Sequence, residues 1–307
     1  MKVDDADDGG NKPPITLTAP RTAIRLTLVP DHLYRPTGLP AWIRYRWRQL
    51  RTGIAFALFG LAGLVFAPLV LPLARIGAGD PAKLRRRVQW IVSRWFGAFS
   101  HAMRLLGLIR WDIQGADKLK RRGQLLIIAN HPSLIDVVLL LGYIPESDCI
   151  VKQALFRNPF TRKAVTWAGY ISNSTPTQLV TDCSASLKAG RSLLIFPEGT
   201  RTVPGEPIRI PHAAARIALE SVAEILPVSI RCEPVTLTKR QAWYRVPARR
   251  VQYTIVVGEP YSAAPWLAEA PSMAIAARRL SRHWEQWFTR QWAAPPLPDV
   301  ETASAGR

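Results

Sequence analysis

Two short runs hold residue types that can do chemistry together. The first is Asn130-His131-Pro132-Ser133-Leu134-Ile135-Asp136. A histidine takes and returns a proton near neutral pH, and a carboxylate bonded to one ring nitrogen leaves the other nitrogen to act as base. The second run is Phe196-Pro197-Glu198-Gly199-Thr200-Arg201-Thr202. It gathers a carboxylate, a hydroxyl and an arginine around a glycine. Glycine permits a close backbone approach or positive φ, and arginine grips a phosphate through two parallel hydrogen bonds. Each run also has a plain structural reading. Ser133-x-x-Asp136 has the outline of a helix capping box, and the second run is equally a turn with an exposed ion pair.

The elements that must position these runs read as an alternation. After Trp111, short apolar stretches at 125–129, 149–152, 193–196, 225–230 and 251–257 predict strands. Helical patterns fall near 133–141, 159–168, 178–188 and 212–223, and a last one at 272–292 carries Met273, Leu280, Trp284 and Trp287 or Phe288 as a packing stripe. Strands alternating with helices predict an α/β fold with a largely parallel sheet covered by helices, whose sites collect at the carboxyl ends of strands. Both chemical runs begin where a strand ends. The histidine would leave its strand into a loop, and Asp136 would fall in the first turn of the following helix.

The first third reads differently. Residues 53–74 contain no charged side chain, and roughly 20 apolar residues suffice to span a bilayer core. Pro68 and Pro72 are expected to kink or end that helix. Basic residues flank it on both sides (Arg44, Arg46, Arg48 and Arg51 before; Arg75, Lys83, Arg85, Arg86 and Arg87 after), which fits a segment dipping in and returning to one face. A buried core helix is the competing reading. Asp80 and Pro81 then open a second helix at N-cap and first helical position, and the stretch 84–110 mixes arginines with Trp90, Trp95, Phe96 and Phe99. That composition suits an interfacial helix, or an amphipathic one docked on the next domain. The predicted organisation is a loosely ordered segment 1–40, membrane-associated helices 41–110, an α/β domain 111–292 and a flexible tail 293–307.

The 307 residues carry 41 Lys and Arg against 22 Asp and Glu, a net charge of +19, with 48% hydrophobic residues. Such a chain can bury a large core, so global disorder is excluded, and it calls for an anionic partner such as a phospholipid face or nucleic acid. Lys118, Lys120, Arg121 and Arg122, just before the first of these strands, could add to attraction by an anionic leaflet. No zinc spacing, ribonucleoprotein run or clear helix-turn-helix supports nucleic acid. Cys149, Cys183 and Cys232 are scattered and odd in number, which points to a reducing compartment. No Gly-x-Ser-x-Gly elbow of a serine hydrolase is present.

Taken together, Asn130-His131-x4-Asp136 and the downstream Phe196-Pro-Glu-Gly-Thr-Arg201 resemble the glycerolipid acyltransferase family, of which 1-acylglycerol-3-phosphate acyltransferases are familiar members. Lys152-x2-Leu155-x3-Pro159 is similar to the start of the family's second motif, and Leu226-Pro227-Val228 to its fourth; Gly258-Glu259-Pro260 also agrees. The resemblance implies transfer of a fatty acyl group from an acyl thioester, acyl-CoA or acyl-ACP, to a lipid hydroxyl, with no other cofactor and no metal. It makes His131 and Asp136 catalytic, the first as general base and the second as its orienter. It makes Asn130, Lys152, Glu198, Gly199, Thr200 and Arg201 substrate-binding, with Arg201 on a phosphate. The implied partners are a phospholipid membrane, the acceptor lipid and an acyl carrier protein as alternative donor, without nucleic acid. The implied location is the cytoplasmic membrane with the site facing the cytoplasm.

The chain also departs from the family. Where the second motif ordinarily ends in an Asp-Arg pair, it has Gly169-Tyr170-Ile171-Ser172-Asn173-Ser174, and Pro211-His212-Ala213 lacks the usual Lys-x-Gly. An ornithine lipid, a glycolipid or a pigment lipid is therefore an alternative acceptor, and a silent lipid-binding scaffold the alternative to an enzyme.

Overall fold

The computed structural model describes residues 39–203, 206–238 and 241–293, without the side chains at 62 and 65–68. The loose segment expected over 1–40 and the tail expected over 293–307 lie outside these residues, except that Leu39 and Pro40 open a helix and Ala293 closes one. In chain order the elements are α1 (Leu39–Arg75), α2 (Pro81–Leu105), β1 (Ile109–Gln114), β2 (Leu125–Ala129), α3 (Asp136–Tyr143), β3 (Asp148–Val151), α4 (Ala154–Arg157), α5 (Arg162–Trp167) and β4 (Ile171–Ser172). There follow α6 (Pro176–Lys188), β5 (Leu193–Ile195), α7 (His212–Ser221), β6 (Glu224–Glu233), β7 (Val251–Val257), β8 (Tyr261–Ser262), α8 (Ala264–Ala268) and α9 (Met273–Ala293).

The strands form one sheet in the order β1-β7-β6-β2-β5-β3-β4, with β8 also on β6. Only the β6–β7 and β6–β8 pairs are antiparallel. β2 lies at the centre and all five of its residues are buried, as a parallel strand covered on both faces requires. Its alternate side chains serve two cores. Leu125, Ile127 and Ala129 meet Ala55 of α1, Phe99 and Met103 of α2 and Leu139 of α3. Leu126 and Ile128 meet Cys183 and Leu187 of α6, Ala215 and Leu219 of α7, and the fully buried Leu280, Trp284 and Phe288 of α9. The stripe expected on the last helix is therefore packing, at i, i+4 and i+8.

α2 begins as expected, with the Asp80 carboxylate accepting from the Ala82 N–H at 2.9 Å. It stops earlier than the stretch 84–110 suggested. Gly107, at φ +69°, donates to the Arg104 carbonyl and Leu108 donates to Met103, a Schellman closure that turns the chain directly into β1. The α/β layer accordingly starts at Ile109 rather than after Trp111. At the other end of the sheet Gly258 is needed by close approach. A Cβ there would come within 2.9 Å of Pro227 Cγ and 3.1 Å of Trp287 Cζ2. Its N–H donates to the Pro227 carbonyl at 2.8 Å, so the Leu226-Pro227-Val228 and Gly258-Glu259-Pro260 stretches meet and let β7 give way to β8.

α1 runs unbroken to Arg75, so neither Pro68 nor Pro72 ends it. One side docks, with Ala55, Leu71 and Ala74 buried, while Leu50, Ile54, Leu58, Leu61, Leu69 and Leu73 stay exposed along another side. It is thus neither a wholly buried core helix nor a free one. Among the described residues no helix is long and apolar enough to cross a membrane. α2 docks by Val88, Val92, Phe99 and Met103 and leaves Trp90 exposed. A buried polar cluster holds its first turns to the sheet: Asp148 at the start of β3 binds Arg85, accepts from Gln89 Nε2 at 2.8 Å and from Arg191 Nε at 3.3 Å, and is bonded by Ser186.

Candidate active site

β2 and β5 pair in parallel with Ile128 opposite Ile195. Carried three residues further, that register puts His131 opposite Glu198, and the contact is made: the His131 N–H donates to Glu198 Oε1 at 3.2 Å and to Thr202 Oγ1 at 3.1 Å. Thr202 completes the tie, its N–H donating to the His131 carbonyl at 2.8 Å and its hydroxyl to Glu198 Oε1 at 2.5 Å. The two chemical runs thus form one site at the carboxyl edge of the sheet.

Asp136 is the first residue of α3 and is fully buried. Its Oδ2 accepts from His131 Nδ1 at 3.0 Å and from the Ser133 N–H at 2.6 Å. With the proton held on Nδ1, Nε2 is the basic nitrogen. The capping-box outline is only half realised. The Ser133 hydroxyl instead accepts from the buried Tyr253 Oη at 2.9 Å, so the Asp136 turn is anchored to β7. Burial pushes the Asp136 carboxyl above the usual carboxylate range, while the His131 ring and the Ser133 N–H pull it back. Burial likewise raises Glu198, against hydrogen bonds from Thr202 and His131. The His131 ring stacks on Phe196 with centroids 4.3 Å apart and keeps 18% of its side chain exposed.

The remaining expected site residues fall in different places. Arg201 donates from one Nη to the Leu237 carbonyl at 2.6 Å, leaving its other donors without a partner among the described residues. Gly199, at φ +67°, closes the turn by donating to the Phe196 carbonyl, and Gly199 and Thr200 stand exposed on the rim. Lys152 follows β3, two strands from β2 and hence on the order of 10 Å to the side. Asn130 is a correction. It is fully buried, accepts from the Ile230 N–H at 2.7 Å and donates to the Ile230 carbonyl at 2.8 Å, so it ties β2 to β6 rather than facing a substrate. Lys118, Arg121 and Arg122 lie before β2, at the opposite edge of the sheet from His131, each on a carboxylate (Glu259, Glu224 and Glu146). In the departing stretch, Asn173 accepts from the Gln153 N–H just after Lys152, and the positive-φ Gly169 gives its carbonyl to Arg85.

Three residues of the site have no signal in the sequence strong enough to single them out: Phe196 under the imidazole, Thr202 on its backbone, and Tyr253 behind its carboxylate. A hydroxyl directly after Arg201 was the only local hint for any of them.

The family model for acyltransferases matches residues 110–231, which span the site. A 1-acyl-sn-glycerol-3-phosphate acyltransferase of Helicobacter pylori is 39% identical over 90 residues, 27% of this chain and 38% of that protein. One from Pseudomonas aeruginosa is 24% identical over 59% of this chain and 71% of its own length, and one from Saccharomyces cerevisiae 29% identical over 46% and 48%. The matches thus span from 38% to 71% of these relatives' lengths. The crystal structure of the 1-acyl-sn-glycerophosphate acyltransferase PlsC from Thermotoga maritima shares the fold, with a TM-score of 0.62 over 79% of this chain and 96% of that one at 19% identity. With the His-x4-Asp pair and the Glu-Gly-Thr-Arg loop joined on one sheet edge and the match lying across both, residues 110–231 form an acyltransferase domain, and the chain is 1-acylglycerol-3-phosphate acyltransferase-like.

Proposed function

We propose that the protein is a membrane-bound O-acyltransferase that moves a fatty acyl group from an acyl thioester, on coenzyme A or acyl carrier protein, to the hydroxyl of a lipid acceptor. The observation that carries this reading is the His131–Asp136 pair, oriented from behind and open in front, locked by backbone to the Glu198–Thr202 loop. His131 Nε2 takes the acceptor's hydroxyl proton as the oxygen attacks the thioester carbonyl. The carbon–sulfur bond then breaks, the ester forms, and the thiolate recovers the proton from the imidazolium. Asp136 holds the ring and stabilises that imidazolium, as in a Ser-His-Asp relay without the protein nucleophile. Arg201, half committed to Leu237, turns its remaining donors to acceptor oxygens. Exposed leucines on α1 and the net charge of +19 support work at the face of an anionic bilayer, where acceptor and product reside.

The test is acyl transfer by membranes containing the protein, wild type beside His131→Ala. Labelled acyl thioester is offered with lysophosphatidic acid and, separately, with total lipid extract of the host. Removal of a positioned base is expected to lower the rate about 10²–10⁴-fold. Undiminished transfer by the variant would remove His131 from the mechanism, and absence of transfer by the wild type would favour a lipid-binding scaffold.

A further inference from the structure

At the edge of the sheet opposite His131 lies a cavity of about 300 Å³, at the small end of the range for ligand pockets. Its lining includes Gly123 ahead of β2, Ser147 and Asp148 where β3 begins, and Ser192 ahead of β5, so it sits at the amino ends of the strands. The first turns of α2 and the turn after α6 wall it in. At about 3.3 Å per residue along β2, it is on the order of 20 Å from the dyad. No large apolar side chain lines it.

Four arginines face this cavity, Arg85, Arg86, Arg122 and Arg191, against two carboxylates, Asp148 and Glu146. Asp148 is buried and orients two of the four. Its Oδ1 accepts from Arg85 Nε at 3.1 Å, and its Oδ2 takes both Arg85 Nη2 and, at 3.3 Å, Arg191 Nε. Gln89 and Ser186 also bond it, so this carboxylate has no capacity to spare. The two guanidinia meet at one oxygen, yet Arg85 Nη1 and both Nη groups of Arg191 have no hydrogen-bond partner among the described residues. Arg122 gives one nitrogen to Glu146 at 3.3 Å, and the exposed Arg86 has no ion pair or hydrogen bond among the described residues. Two positive charges are thus left over in a polar pocket. Anchoring α2 needs only the Asp148 cluster, and the surplus arginines repel one another unless an anion joins them. Oriented guanidinium forks suit phosphate oxygens, and orientation in advance lowers the cost of binding.

We propose that this cavity binds the phosphate group of a small, polar molecule carrying at least two negative charges. The phosphate bridges Arg85 and Arg191 through the donors that Asp148 leaves free, and Arg86 and Arg122 add charge from the rim. A lining without large apolar side chains has no seat for an acyl chain, so this ligand differs in kind from the lipid acceptor proposed at His131. The site stands independently of the acyl-transfer reading. Its wall joins α2 to the amino ends of β3 and β5, so occupancy ties the N-terminal helices to the sheet and stabilises the fold by mass action.

The experiment uses the full chain in detergent, as wild type, Arg86→Gln, Arg191→Gln and Arg201→Gln. Inorganic pyrophosphate is titrated by calorimetry, with sodium chloride of equal ionic strength as control and thermal unfolding followed in parallel. A single binding event that raises the melting temperature is expected. Loss of an oriented charge-assisted contact should weaken it about 10–100-fold in Arg191→Gln, and loss of the exposed Arg86 about 2–10-fold. Arg201→Gln, at the other edge of the sheet, should bind as wild type does. Arg86 has no partner to lose, so its variant reports on the site even where Arg191→Gln loosens Asp148 and α2. No binding beyond that of chloride, affinity untouched in Arg86→Gln, or affinity lost in Arg201→Gln instead would overturn the site. Short-chain phosphatidic acid binding more tightly than pyrophosphate, and losing that affinity in Arg86→Gln, would overturn the polar ligand and make the phosphate that of a lipid headgroup.

Discussion

At the scale of single residues the site is a set of buried acids held in place by backbone donors. Glu198 illustrates the cost. Its folded pKa is raised by burial, so its ionised form is disfavoured in the folded chain. The contribution to stability is full below the unfolded value of about 4.3 and is lost as pH rises through the folded value. Glu198→Gln keeps an oxygen for the His131 N–H and the Thr202 hydroxyl but carries no charge. Its melting temperature should therefore exceed wild type at pH 8, with the gap closing as pH falls through the Glu198 titration. Thermal unfolding from pH 4 to 8 measures this, and a gap that widens in acid would contradict it. His131 and Asp136 were legible because five residues across one strand-to-helix turn bring them together locally. Thr202, Phe196 and Tyr253 were not, since each reaches the dyad across the sheet and only the register decides which side chain arrives. Asn130 was misread for the same reason: nothing local says that Ile230 lies beside it.

At the scale of elements, terminations carry much of the specificity. α2 ends on a glycine suited to the left-handed region, whereas α7 ends on Val222 at φ 50° and ψ 41°, a conformation that β-branched residues strongly avoid. Val222 is 51% exposed, so its side chain gives little back. Val222→Gly should stabilise the protein by roughly 0.5–1 kcal/mol after the entropy of the unfolded glycine is counted. The melting temperature is then expected to rise by about 2 °C. A lower one would show that Val222 packs in a way its exposure conceals. β2 and β7 occupy the residues their apolar patterns predicted, because each is buried deeply enough for pattern to dominate. β1 escaped notice because it is an edge strand whose sequence, Ile-Arg-Trp-Asp-Ile-Gln, is mostly only half buried. β4 and β8, of two residues each, are too short to leave a pattern.

At the scale of the whole molecule, α1 is the element whose environment is incomplete. Its exposed leucines face away from both cores, beside a chain of high positive charge. Binding of the full chain to vesicles containing anionic phospholipid should fall at least about tenfold when Leu58 and Leu61 are both replaced by Glu. The apolar area lost and the charge gained act in the same direction. Co-sedimentation reads this out, and unchanged binding would place the membrane contact elsewhere. The alternating α/β class, the helix pair ahead of it and the His-x4-Asp and Glu-Gly-Thr-Arg runs are all legible in the amino-acid order, because apolar period, capping residues and short-range spacing are local quantities. That β5 lies beside β2 in a register that puts Glu198 on His131, and that Asn130 serves the sheet, emerges only once the chain is folded. Strand order and burial depend on contacts between residues scores of positions apart, and side-chain chemistry at one position does not specify its distant neighbour.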